Sequence, residues 1–135
     1  MPTSPAPTPV EYFLMPHEVL VSTSDLAGRI TYCSPEFVAV SGFSMNELLG
    51  APHSLLRHPD MPRALFRELW ATIGTGARWS ALIKNRRKNG AFYWAMLRVT
   101  PLLDAGAPLG YLALQTAPTA EQRHTAALSY PTGPY

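Results

Sequence analysis

Residues 79 to 86 alternate as a strand with two unlike faces. Trp79, Ala81, Ile83 and Asn85 fall on one side, and Ser80, Leu82, Lys84 and Arg86 on the other, because successive side chains of a strand point to opposite faces. The first set is the more apolar and is expected to point inward. A second strand, 91 to 102, follows the turn Lys88-Asn89-Gly90, where Asn-Gly is a hairpin signal. A third, 109 to 116, follows Asp104-Ala105-Gly106 and places Tyr111, Ala113 and Gln115 on one face. Near the start, Val19-Leu20-Val21 opens one strand and Ile30 to Cys33 forms another, with Asp25 to Gly28 supplying turn residues.

Between these two sets of strands the pattern changes to a helical period. Ser34 with Pro35 reads as an N-cap and first helical position, and Gly42 as the stop. Ser44-Met45-Asn46-Glu47 is a capping-box pattern ending at Gly50. The longest helix is predicted over 61 to 73, with Asp60 as its cap and Pro62 in its first turn. Leu65, Phe66, Leu69, Trp70 and Ile73 then form one apolar stripe. The class is α+β: a five-stranded antiparallel sheet with several short helices and one longer helix on one face.

Composition sets the boundaries. The chain has 135 residues, 47% of them hydrophobic, which suits a single domain. Its 14 prolines crowd the ends: Pro2, Pro5, Pro7 and Pro9, then Pro118, Pro131 and Pro134. Residues 1–17 therefore read as a flexible arm or cap, 18–117 as the folded domain, and 118–135 as a tail or linker. The single cysteine, Cys33, excludes an intrachain disulfide framework. The net charge of +2 does not suggest nucleic-acid binding, which wants a large basic surface. No signal peptide or membrane-spanning stretch is visible.

The candidate chemistry lies on the inward faces. Asn85 and Gln115 would be amides inside a core, where each donor and acceptor needs a partner. With the aromatics and small alanines around them they describe a pocket for a flat ring with polar edges. The other reading of the same pattern has Asn85 bonding backbone near the hairpin and Gln115 facing water. His53 and His58 with Asp60 are too few ligands for an expected metal site. No P-loop, dinucleotide fingerprint or nucleophile elbow is present. The basic run Lys84, Arg86, Arg87 and Lys88 reads as a solvated hairpin, or as a contact for a phosphate or an acidic partner.

The topology and the block from Trp79 to Gly90 resemble a PAS domain. With Pro52-His53 and Arg57-His58-Pro59-Asp60-Met61-Pro62 added, the chain closely resembles the PAS sensor domain of bacterial aerotaxis receptors, from about Leu20 to Thr116. That resemblance implies non-covalent FAD, with FMN the less favoured flavin, no enzymatic activity, a cytoplasmic location, and redox, oxygen or energy signals passed to an output domain or receptor module. It also implies a possible homodimer through the N-terminal arm. Residue by residue, it implies that Trp79 packs against or hydrogen-bonds the flavin, and that Asn85 meets the polar edge of the isoalloxazine. Gln115 would stand where light-sensing LOV domains carry the glutamine beside N5. His53, Arg57 and His58 would flank the mouth, Asp60 would cap the long helix and hold Arg57 or His58, and Phe66, Tyr93 and Tyr111 would wall the cavity. Ser34 would make a polar contact where the family often has Asn.

Departures from the pattern bear on the chemistry. The family has Pro-Trp-Ser-Gly where this chain has Arg78-Trp79-Ser80-Ala81. Ala95 replaces a second flavin asparagine of LOV domains, and no cysteine lies in the 50 to 58 segment where those domains carry their reactive thiol. Redox sensing is therefore expected rather than a photochemical cysteinyl adduct. Two other functions stay open: a PAS module that binds haem, another small molecule or only a protein, and a flavoenzyme, for which no acid-base or nucleophile set stands beside the ring.

Overall fold

The computed structural model describes residues 2–130, so residues 131–135 of the expected tail lie outside the described residues. The strands are β1 (Leu20–Ser24), β2 (Ile30–Cys33), β3 (Trp79–Arg86), β4 (Phe92–Asp104) and β5 (Ala107–Thr116). The helices are α1 (Pro35–Ser41), α2 (Met45–Leu48), α3 (Arg63–Ile73) and α4 (Ala120–Ser129), with a 3-10 turn at His53–Leu56. The strands form one sheet in the order β2-β1-β5-β4-β3, antiparallel throughout. The first and last strands of the chain thus pair at the centre, and β3 lies on an edge.

Local chemistry accounts for most of the boundaries. Asp25 Oδ1 accepts from the backbone N–H groups of Ala27 and Arg29, both at 2.9 Å, which closes the β1–β2 turn. Ser34 Oγ caps α1 at the Phe37 N–H and also accepts from Val21 N–H at 3.1 Å, tying the helix to β1. Ser44 and Glu47 form the expected reciprocal box on α2. The β4–β5 turn is tighter than the pattern suggests. Ala105 and Gly106 take φ of 50° and 83°, a two-residue turn whose twist matches the strands, so pairing continues to Asp104↔Ala107.

Three expectations need correction. The long helix begins at Arg63 with Pro62 before it and no side-chain cap. Asp60 is not that cap, because its carboxylate accepts from Lys84 Nζ at 2.8 Å, with both side chains nearly buried. Residues 118–130 are not simply a linker. Thr119 and Gln122 form a capping box that starts α4; α4 buries Ala126, and the residue after it, Tyr130, stacks on Trp94 at 6.0 Å. Most of the basic run is engaged rather than solvated, and only Lys88 within it is exposed, at 53% of its side chain. Lys84 pairs with Asp60, Arg86 donates to Pro5 O at 2.7 Å, Arg87 Nε to Val40 O at 2.6 Å, and Lys88 to Glu47 at 2.9 Å.

The N-terminal arm lies on its own domain. Thr8 N–H donates to Gly90 O at 2.9 Å, and Phe92 N–H to Val10 O at 2.9 Å. Gly90 has φ of 89°, and a Cβ there would meet Ala6 O. Glycine is required at this position by the backbone and by the arm together.

Candidate functional site

A cavity opens between the inner face of β3, β4 and β5 and the wall made by α3 and the 3-10 turn. Its lining includes Ile83 and Asn85 from β3, Leu97 and Val99 from β4, Tyr111, Ala113 and Gln115 from β5, and Phe66, Leu69, Trp70 and Ile73 from α3. His53, Leu56 and Arg57 complete the mouth, and Ser24 adds a hydroxyl from β1. The walls are apolar because the inward residues of three strands meet the α3 stripe. The polar groups gather at the end where Asn85 and Gln115 stand.

Those two amides bond to each other. Asn85 Nδ2 donates to Gln115 Oε1 at 3.0 Å, and the Tyr93 hydroxyl donates to the same oxygen at 3.2 Å. Both amide residues are at least 94% buried, with 6% and 3% exposure. Asn85 therefore serves the cavity rather than the hairpin backbone, and Gln115 does not face water. Gln115 Oε1 is turned back to its neighbours. Asn85 Oδ1 and Gln115 Nε2 are left toward the cavity, an acceptor beside a donor, with no hydrogen bond to either among the described residues.

The mouth carries charge and a neutral base. The Arg57 guanidinium lies 3.7 Å over the Phe66 ring. Its Nε is buried without a hydrogen-bond partner, and desolvation pulls its pKa down. Desolvation also lowers His53 to about 4, so its imidazole is neutral near pH 7. Trp70 is 38% exposed and meets Tyr111 edge to face at 5.7 Å. No group of three or more His, Cys, Asp or Glu side chains suited to a metal occurs among the described residues.

Of the expected site residues, His53, Arg57, Phe66, Asn85, Tyr111 and Gln115 line this cavity. Tyr93 stands behind the amides rather than in the wall. Trp79 shares the inner face of β3 with Asn85, six positions or about 20 Å along the strand, and does not line this cavity. It is buried in the same apolar cluster that supplies the cavity walls and pairs with the lining residue Val99. Ser34 is occupied as the α1 cap.

His58 and Asp60 lie on the far side of the sheet edge. Arg57 forms an isolated bridge with Asn85, and the chain then turns at Pro59 and Asp60, where Met61 N–H donates to His58 O at 3.1 Å. Arg57 faces the cavity, whereas the turn carries His58 against Phe92 and Asp60 to Lys84 on the outer face. His58 Nδ1 accepts from Asp60 N–H at 3.0 Å. Burial, then the nearby Lys84 charge, lowers its pKa to about 4. Sequence reasoning missed Trp70 and Ile73 as cavity residues, because the α3 stripe reads only as core. The signal was the position of that stripe opposite the inward amides.

The family model for the PAS fold matches residues 30–113. The chain belongs to the PAS fold family. It is 45% identical over 103 residues to the aerotaxis receptor of Escherichia coli (strain K12), covering 76% of this chain and 20% of that protein. It is 32% identical over 98 residues to the nitrogen fixation regulatory protein of Klebsiella pneumoniae, covering 72% of this chain and 20% of that one. The chain thus spans about a fifth of the length of these relatives. The light-state structure of the blue-light photoreceptor Aureochrome1 LOV superposes with a TM-score of 0.72 at 20% identity, over 82% of this chain and 89% of that chain. At that identity the likeness is one of fold. No described helix is long and apolar enough to cross a membrane.

Proposed function

We propose that this domain holds a flavin non-covalently, FAD in preference to FMN, and reports its redox state to a signalling output module, as a redox, oxygen or energy sensor of the aerotaxis kind. The observation that carries this is the buried acceptor–donor pair, Asn85 Oδ1 and Gln115 Nε2, in the wall of an apolar slot. A cyclic imide edge presents the complementary N–H and C=O. The unpartnered Arg57 Nε at the mouth suits an anionic tail such as a phosphate or pyrophosphate, which supports a nucleotide flavin.

When bound, the flavin supplies a reversible, proton-coupled redox change. The chain's own residues would read it. Gln115 Nε2 would donate to an unprotonated ring nitrogen, and its Oε1, which now accepts from Asn85 and Tyr93, would accept from a protonated one only after rotation of the amide. Gln115 pairs with Leu20 on β1 and Leu97 on β4, so rotation is felt at the centre of the sheet. The slot, about 80 Å³, is smaller than the roughly 300 Å³ usual for ligand sites. Ring entry is expected to swing the half-exposed Trp70 outward.

The test is a visible spectrum of the purified protein, followed by identification of the released cofactor. Flavin bands and FAD are expected. A Soret band would instead assign the slot to haem through the neutral His53, and a colourless protein that takes up no added flavin would overturn the reading. Asn85→Ala is expected to lower flavin retention at least about tenfold, the worth of one buried hydrogen bond.

A further inference from the structure

Tyr93 stands opposite Asn85 in the β3–β4 register and is completely buried. Its hydroxyl donates to Gln115 Oε1 at 3.2 Å and accepts from Asn85 Nδ2 at 3.4 Å. These are its hydrogen bonds among the described residues, and burial raises its pKa so that it keeps its proton. Ala95, on the same face two residues further on, is also fully buried and offers no polar side chain. Rotating Gln115 alone would set its NH2 against the NH2 of Asn85. Rotating both amides would leave the hydroxyl proton only the more distant Asn85 as acceptor. A buried donor without a good acceptor is costly.

We infer that Tyr93 is a positioning residue whose hydroxyl fixes the Gln115 amide with its NH2 end toward the cavity. The site then prefers a ring with a bare acceptor nitrogen at that point over the same ring bearing N–H. The identity of the ring rests on the flavin reading above; the hold of Tyr93 on Gln115 does not.

Two readouts keep the questions apart. In cofactor-free protein, Gln115 should give one sharp pair of side-chain amide NMR signals, and the Tyr93 hydroxyl proton should exchange slowly. Tyr93→Phe should broaden or double the Gln115 pair. In flavin-loaded protein, a dithionite titration delivers two electrons to the ring and one solvent proton to the nitrogen beside Gln115. Tyr93→Phe should retain flavin and raise the midpoint potential. One lost hydrogen bond changes the oxidised-to-reduced binding ratio up to about tenfold, which is about 30 mV for a two-electron couple. On a Gln115→Leu background the same change should leave the potential where it stands. Equal shifts in both backgrounds, an unmoved potential with unmoved Gln115 signals, or a fast-exchanging wild-type Tyr93 hydroxyl each overturn the inference. A wild-type protein that takes up no flavin defeats the flavin reading, and the cofactor-free signals still decide the role of Tyr93. The wild-type hydroxyl measurement stands even if Tyr93→Phe does not fold.

Discussion

Lys84 and Asn85 are adjacent on β3, point to opposite faces of the sheet, and each anchors a buried polar cluster of a different kind. On the inner face the cluster is neutral: two amides and a hydroxyl, bonded among themselves and open to a cavity. On the outer face it is charged. Lys84 Nζ lies 2.8 Å from Asp60, 4.4 Å from the Phe92 ring centre and 5.6 Å from that of Trp94. An amide can exchange its donor and acceptor ends by turning over. A buried ion pair has one arrangement, and losing either partner strands the other charge. The inner cluster is thus suited to answer a ligand, whereas the outer one fastens the 57–61 segment round the sheet edge and so holds Arg57 at the mouth.

The largest expected effect tests that contrast. Asp60→Ala should cost about 3–5 kcal/mol, the usual penalty for breaking a buried pair, read as a lower urea midpoint. Asp60→Leu with Lys84→Met should recover most of it, since an apolar pair of similar volume often replaces a buried ion pair without loss. Asn85→Ala should cost only about 1 kcal/mol, because Gln115 Oε1 keeps its bond from Tyr93. Equal losses from Asp60→Ala and Asn85→Ala would erase the distinction between a fastening face and a responsive one.

Acid should act on the outer face through His58. Its folded pKa is about 4, below its ordinary 6.5, because burial and then Lys84 oppose the imidazolium. Between those values the unfolded chain takes up a proton that the folded chain does not. Stability is therefore full above about pH 6.5 and declines as pH falls toward 4, by on the order of 3 kcal/mol for this group. His53 at the cavity mouth shifts in the same direction through desolvation alone. His58→Asn should flatten the decline measured by denaturant unfolding between pH 6.5 and 4. A decline unchanged in that variant would assign the acid response to the cavity side.

The sequence reads best where the cause is local. Alternation alone puts Ile83 and Asn85 on the inner face of β3, and the caps at Ser34 and Ser44 follow from neighbours a few residues away. It reads worst where a partner is distant. Asp60 looks like a helix cap beside Pro62, yet it bonds Lys84 24 residues on, a contact that exists only because the chain meets the edge strand at Arg57 and turns just after it. Trp79 shows the other limit, since alternation gives its face but not where along that face a cavity opens. The prolines of the tail outweigh the capping-box spacing of Thr119 and Gln122, so the helix that this box starts is not read from the sequence.

The smallest effect concerns how the arm joins the outer face. Arg123 on α4 reaches Glu11 at 3.5 Å and lies 4.6 Å over Phe13, but it is about one-third exposed, with 32% side-chain accessibility. Pairs so placed contribute under about 1 kcal/mol, so Arg123→Ala should barely move the unfolding midpoint. Its effect should appear locally. Burial raises the Glu11 pKa, and Arg123 is the larger of the two charges that oppose that rise, ahead of Lys84. Removing Arg123 should raise the Glu11 pKa further, as an NMR titration would show, and speed amide exchange at Tyr12 and Phe92, which the arm pairs. If instead Arg123→Ala lowers stability as much as Asp60→Ala does, then arm, α4 and the Asp60–Lys84 pair unfold as one unit. The fastening on the outer face would then extend from the sheet edge to both ends of the described chain.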